Sequence, residues 1–160
     1  FGEEHDNLLS QLSEQAKPVE KKLNSEILNW KIFQDPTKKY DVVNIYKAGA
    51  LTAFCVSDIV NGRTFITYLA IQPEADTRNV LFIIMNYLFH KNNSFWIFTW
   101  EPQNTEWRSQ FSNVGFLKNP FPKGPLSYKI PVILRFEPVM LNDINMHEIE
   151  NYDITPIFQD

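Results

Sequence analysis

The chain has 160 residues, 44% hydrophobic and 21% charged, with a formal net charge of −4. These are the proportions of an ordinary globular domain, and one of this length buries about 70% of its unfolded surface. The charge argues against a nucleic-acid surface, since basic residues cluster no more densely than pairs such as Lys21–Lys22 and Lys38–Lys39. No run approaches the ~18 consecutive apolar residues of a membrane span.

The first segment, EEHDNLLSQLSEQ, places Leu8, Leu9 and Leu12 at helical spacing, with acids early and Pro18 as a stop. A second helix is expected from Ser25, which can cap it, with Ile27, Leu28, Ile32 and Phe33 as its apolar positions. It should end by Asp35, because a residue before proline is pushed out of the helical region.

From Tyr40 the period changes to two. YDVVNIYK and ALTAFCVSD are joined by Lys47-Ala48-Gly49, and Asn61-Gly62 leads into RTFITYLAI, so three sequential antiparallel strands are predicted. Cys55, in the middle strand, is the only cysteine; no intrachain disulfide can form, and a small buried hydrophobe is the expected role. The acidic start FGEEHDN has no basic, apolar leader pattern, and a cytoplasmic location is the expectation.

Pro73 closes the third strand. The helix after it, about Thr77 to His90, carries Val80, Phe82, Ile83, Ile84, Tyr87, Leu88 and Phe89. That stripe is too wide for a surface helix and predicts one well buried against a sheet. In SFWIFTW, Trp96, Phe98 and Trp100 alternate with Phe95 and Ile97, which predicts a central strand covered on both faces. NTEWRSQFSNVGF gives a short helix from Asn104, with Trp107, Phe111 and Val114 inward and Gly115 as its stop. The turn-rich LKNPFPKGP precedes a strand-like LSYKIPVILRF and an acidic tail.

The strand–Pro–helix unit YLAIQPEADTRNVLFIIMNYLF and the stretch NTEWRSQFSNVGFLKNP, with Asn104, Gly115 and Phe116, carry a resemblance. Together with the element order, they make the chain from about Asn24 to Phe136 resemble the GNAT superfamily, the acetyl-CoA-dependent N-acetyltransferases. The LNWKIFQDP run is also similar to a Trp-containing segment of some two-lobed members. The resemblance implies an α/β (α+β) acyltransferase fold, a mixed central sheet with an antiparallel N-terminal meander and helices on both faces. It divides the chain into an N-terminal helical segment, 1–36, a core, 37–137, and a C-terminal strand or tail packing on it, 138–160.

In that family acetyl-CoA lies where the fourth and fifth strands splay, with its pyrophosphate on amides at the start of the following helix. The resemblance thus points to Leu69, Ile71, Thr77, Arg78, Asn79, Val80 and Asn104 as the cofactor-binding positions, should coenzyme A bind. The family places an Arg or Gln and then alternating glycines at this turn, where backbone N–H groups must approach phosphates closely. Here Asp76, Thr77 and Asn79 stand at those positions, and no glycine lies between Gly62 and Gly115. Many members also carry a Tyr four residues before the Gly-Phe as the acid that protonates the departing thiolate; here it is Phe111, which has no proton to give.

Two catalytic candidates remain. Glu101, past the SFWIFTW strand, is either a general base acting through water or a solvated loop carboxylate before Pro102. Tyr68 either donates a hydrogen bond into the splay or is packed. Trp100 and Trp107 either line a cleft or belong to the core. His5, His90 and His147 are scattered without metal-ligand spacing, so no metal is expected. Three readings follow: a degenerate acyltransferase-fold domain without a cofactor that binds or supports a partner, an active N-acetyltransferase using acetyl-CoA on an amine, or an interaction domain. The partner would be another acyltransferase-like lobe, a second copy or a protein not named by the sequence.

Overall fold

The structure, a computed structural model, describes residues 1–13, 19–20, 23–34, 38–60, 62–94, 96–99, 105–117, 140–141, 144–145 and 152–153. In chain order the elements are α1 (Glu3–Ser13), β1 (Val19–Glu20), α2 (Ser25–Phe33), β2 (Tyr40–Lys47), β3 (Ala50–Val60), β4 (Arg63–Ile71), α3 (Thr77–Asn92), β5 (Ile97–Thr99), α4 (Thr105–Asn113), β6 (Met140–Leu141), β7 (Ile144–Asn145) and β8 (Tyr152–Asp153). The main sheet has the order β2-β3-β4-β5; β2, β3 and β4 form the predicted antiparallel meander, and β5 runs parallel to β4. Short pairs join β1 to β8 and β6 to β7.

The β2–β3 turn shows why the meander forms. Ala48 and Gly49 both have left-handed backbone, at φ of 51° and 84°. Two such residues make the hairpin turn whose twist matches that of its strands. Glycine adopts this freely, whereas alanine's Cβ meets the following carbonyl.

Alternation along the strands divides the core in two. On one face Ala53, Cys55, Ile66 and Ile71 pack with Val80, Leu81, Ile84 and Leu88 of α3 and with Phe111 of α4. On the other, Phe54, Val56 and Ala70 pack with Leu8 and Leu9 of α1 and Leu28 and Ile32 of α2. Asp6 ties the two helices, accepting from the Ser25 N–H at 2.6 Å and the Ser25 hydroxyl at 2.7 Å. Ser25 is therefore not the cap of α2; Asn24 is, its side chain accepting from the Ile27 N–H at 2.9 Å.

Two expectations about burial are corrected. In α3, Phe82, Ile83, Tyr87 and Phe89 are exposed, Phe82 at 59%. A helix meets a single sheet along one stripe, and in α3 that stripe is Val80, Leu81, Ile84 and Leu88, spaced by whole turns. The remaining apolar residues face away whatever their chemistry. Likewise β5 spans three residues, none fully buried, and Trp96 just before it is 67% exposed. Among the described residues β5 ends the strand order, and the strand-like LSYKIPVILRF run lies outside them.

Ala48→Asn, which accepts left-handed backbone, should raise stability by roughly 0.5–1 kcal/mol in urea denaturation. The Ser25 hydroxyl and then its N–H hold the Asp6 carboxyl below its ordinary 3.8. A lowered value means that this tie is complete above the usual carboxylate range and is lost as pH falls through the lowered one. Asp6→Asn should accordingly be less stable at neutral pH, and its stability should change less on acidification; thermal unfolding across pH measures both.

Candidate functional site

The site implied by the resemblance centres on β4 and its junction with α3. The β3–β4 register runs Val56↔Tyr68 and then Ser57↔Ile66, leaving Thr67 as an extra residue in β4. The Thr67 hydroxyl donates to the Val56 carbonyl at 3.1 Å, which fixes this bulge. A bulge bends its strand and changes which side chains face which way. Here it lets Ile66 and Leu69 both join the α3-side core, three residues apart. The described β4–β5 pairs are Thr64↔Ile97, Phe65↔Phe98 and Ile66↔Thr99, so pairing is described up to the bulge and not beyond it.

Past the bulge the chain is tied by its own groups. The Gln72 N–H donates to the Thr52 carbonyl at 2.9 Å, and the Ala75 N–H to the Gln72 carbonyl at 3.0 Å. Asp76 is the N-cap of α3: its carboxylate accepts from the Asn79 N–H at 3.1 Å, and its carbonyl from the Val80 N–H at 3.0 Å. The first turn of a helix offers unpaired N–H groups and a partial positive charge, which is why anions settle there. In this chain a carboxylate of the chain itself occupies that position. Thr77 is half-buried, and Arg78 and Asn79 are exposed around it.

Beside this junction lies a cleft of about 250 Å³ lined by Leu12, Ile71, Gln72, Pro73, Thr77, Trp107 and Gln110. It is below the ~300–1,000 Å³ of typical small-molecule pockets, and none of these lining residues is charged. A larger open groove of about 690 Å³ runs along α2, past Asn24, Glu26 and Trp30. Phe111 is 6% exposed; its ring lies 6.1 Å from that of Trp107 and 5.0 Å from that of Phe116. It is a core residue under α4.

The structure gathers some of the expected site residues and separates others. Thr77, Arg78, Asn79 and Val80 share the first turn of α3, Val80 pointing into the core at 6% exposure. Leu69 packs against the same core, and Ile71 lies between it and the cleft. Tyr68 sits on the opposite face, its ring 5.5 Å from that of Phe54, so it packs against the α1–α2 side. Glu101 and Asn104, with Trp100, lie outside the described residues. Sequence reasoning missed Asp76 as a cap, although Asp three residues before Asn79 at a helix start is a capping signal, and it missed Gln72 and Gln110, which carry no local signal. Cys55 is fully buried and its thiol is pushed well up by desolvation, which makes it unreactive. Among the described residues no group of three or more His, Cys, Asp or Glu side chains is placed to hold a metal ion. No helix among them is long and apolar enough to cross a membrane.

No protein-family model matches this sequence, and no curated protein matches it. Solved structures do. The ribosomal-protein-S18-alanine N-acetyltransferase of Escherichia coli superposes with a TM-score of 0.50 at 12% identity, over 69% of this chain and 71% of its own. The aminoglycoside N-acetyltransferase AAC(6')-Iy, solved in complex with CoA, superposes with a TM-score of 0.50 at 14% identity, over 82% and 97%. The fold is therefore that of the GNAT N-acetyltransferases, and at these identities the likeness is one of fold.

Asp76→Ala should remove the cap and lower unfolding stability by about 1 kcal/mol in urea, with no change in helix content at low denaturant.

Proposed function

We propose that this chain is an acyltransferase-fold domain with a degenerate acetyl-CoA site, acting as a binding or structural lobe. One observation carries this reading: the Asp76 carboxylate caps the Asn79 N–H at the helix start where the fold would seat a pyrophosphate. A diphosphate arriving there must displace that carboxylate and meets its charge. Each charge-assisted amide–phosphate bond left unmade costs about 1.5–3 kcal/mol. The side chains of Thr77 and Asn79 crowd the approach that bare glycine backbone would leave open. The small cleft beside the junction adds no charged group to hold phosphates. Phe111, buried where the resemblance implies an acid, leaves the departing thiolate without that proton source; such an acid supplies roughly 10²–10⁴-fold.

One observation favours a second reading, an active N-acetyltransferase that moves an acetyl group from acetyl-CoA to an amine. Arg78 is exposed on the same helical turn, and its guanidinium is a cation of the kind that pairs with phosphate. In that reading Arg78 substitutes for the missing backbone contacts.

Isothermal titration calorimetry with acetyl-CoA separates the two. The degenerate site gives no saturable heat at micromolar to millimolar ligand. Saturable micromolar binding that Arg78→Ala abolishes would overturn it in favour of the enzyme.

A further inference from the structure

His5 is a titratable side chain that neither reading of the junction uses. It is 4% exposed, on the first turn of α1, and both of its ring nitrogens are engaged. The Gly2 N–H donates to Nδ1 at 3.2 Å, and Nε2 lies 3.2 Å from Asn44 Oδ1 of β2. A backbone N–H can only donate, so Nδ1 is a bare acceptor. Nε2 then carries the ring hydrogen and donates it to Asn44. In this arrangement the ring is neutral.

Gly2 stands at the N-cap position of α1, its carbonyl accepting from the His5 N–H at 2.9 Å and the Asp6 N–H at 3.2 Å. His5 is the third residue of the helix, and its side chain reaches back to the N–H of the capping residue. In the usual capping box a Glu or Gln does this. Those side chains remain acceptors around neutral pH, whereas an imidazole nitrogen accepts only while it is bare. One proton therefore takes this helix start's acceptor away.

The groups around the ring decide what replaces it. Glu4 Oε1 lies 3.9 Å from Nδ1, and the Tyr46 hydroxyl of β2 donates to that same oxygen at 2.8 Å, which holds the carboxylate beside the ring. The Asp6 carboxylate is committed to Ser25 of α2, accepting from its N–H and its hydroxyl. The Phe1 nitrogen donates to Asn29 Oδ1 of α2 at 2.8 Å. Phe1 and Phe54 of β3 present their rings edge-on to the imidazole. Glu4 is thus the carboxylate placed to accept from Nδ1.

We infer that His5 is a proton-operated exchange of partners at the start of α1. With Nδ1 bare, the ring holds the Gly2 N–H. With Nδ1 protonated from solvent, that contact sets donor against donor, and Nδ1–H donates to Glu4 instead. Nε2–H keeps Asn44 in both states, so α1 stays on β2 while its cap opens.

NMR of the ¹⁵N,¹³C-labelled chain, titrated over the histidine range of about pH 8 to 5, tests this. At the upper end the His5 ring is expected with Nδ1 bare and its hydrogen on Nε2. As the ring gains its second hydrogen, the Gly2 amide and the Glu4 carboxyl carbon shift with the same midpoint. His5→Gln can accept from Gly2 and donate to Asn44 but takes up no proton, so both signals lose that step. The wild-type spectra carry the test without the variant. A hydrogen on Nδ1 at the upper end, or a ring that stays neutral throughout, overturns the inference. So does ring protonation that leaves either Gly2 or Glu4 in place, or a step that survives in His5→Gln.

Discussion

The first turn of a helix can satisfy only a limited set of electrostatic partners, and at the β4–α3 junction Asp76 already holds one of its amides. The surrounding structure is arranged around that contact. Thr67 bulges β4 so that Leu69 and Ile71 can reach the α3-side core, and the Gln72 N–H on the Thr52 carbonyl sets where the chain leaves the sheet. Asp76 then starts the helix where Val80, Leu81, Ile84 and Leu88 fall on the sheet. A self-capped helix start is a good structural joint. The proposed reading rests on the same physics, in which a carboxylate and a phosphate compete for the same donors and repel each other.

Fold and site thus point in different directions. The likeness to two N-acetyltransferases extends over most of the chain, yet a fold hosts chemistry only where particular side chains supply it. Here the junction offers a carboxylate where an anion would sit, and the position where the resemblance implies an acid is a buried phenylalanine.

Much of the fold was legible in the sequence because its signals are local. Ala48-Gly49 and Asn61-Gly62 mark turns by their chemistry, and the three alternating runs between Tyr40 and Ile71 place the meander. The absence of glycine between Gly62 and Gly115 was equally plain. What was not legible depends on partners distant along the chain. The stripe of α3 that faces the sheet is chosen by tertiary packing, so Leu81 is fully buried while Phe82 beside it is exposed. The bulge at Thr67 sends Tyr68 to the α1–α2 face, a consequence of register that strand periodicity alone cannot reveal. Ser25 looked like a cap, but its hydroxyl is engaged by Asp6 on another helix, and Asn24 caps instead.

The central claim concerns a handful of amides, and they can be watched directly. In a ¹⁵N-resolved NMR titration with coenzyme A, the backbone resonances of Thr77, Arg78, Asn79 and Val80 should stay in place, because the helix start already has its carboxylate. Saturable shifts centred on Asn79, with loss of the Asp76 hydrogen bond, would contradict the account.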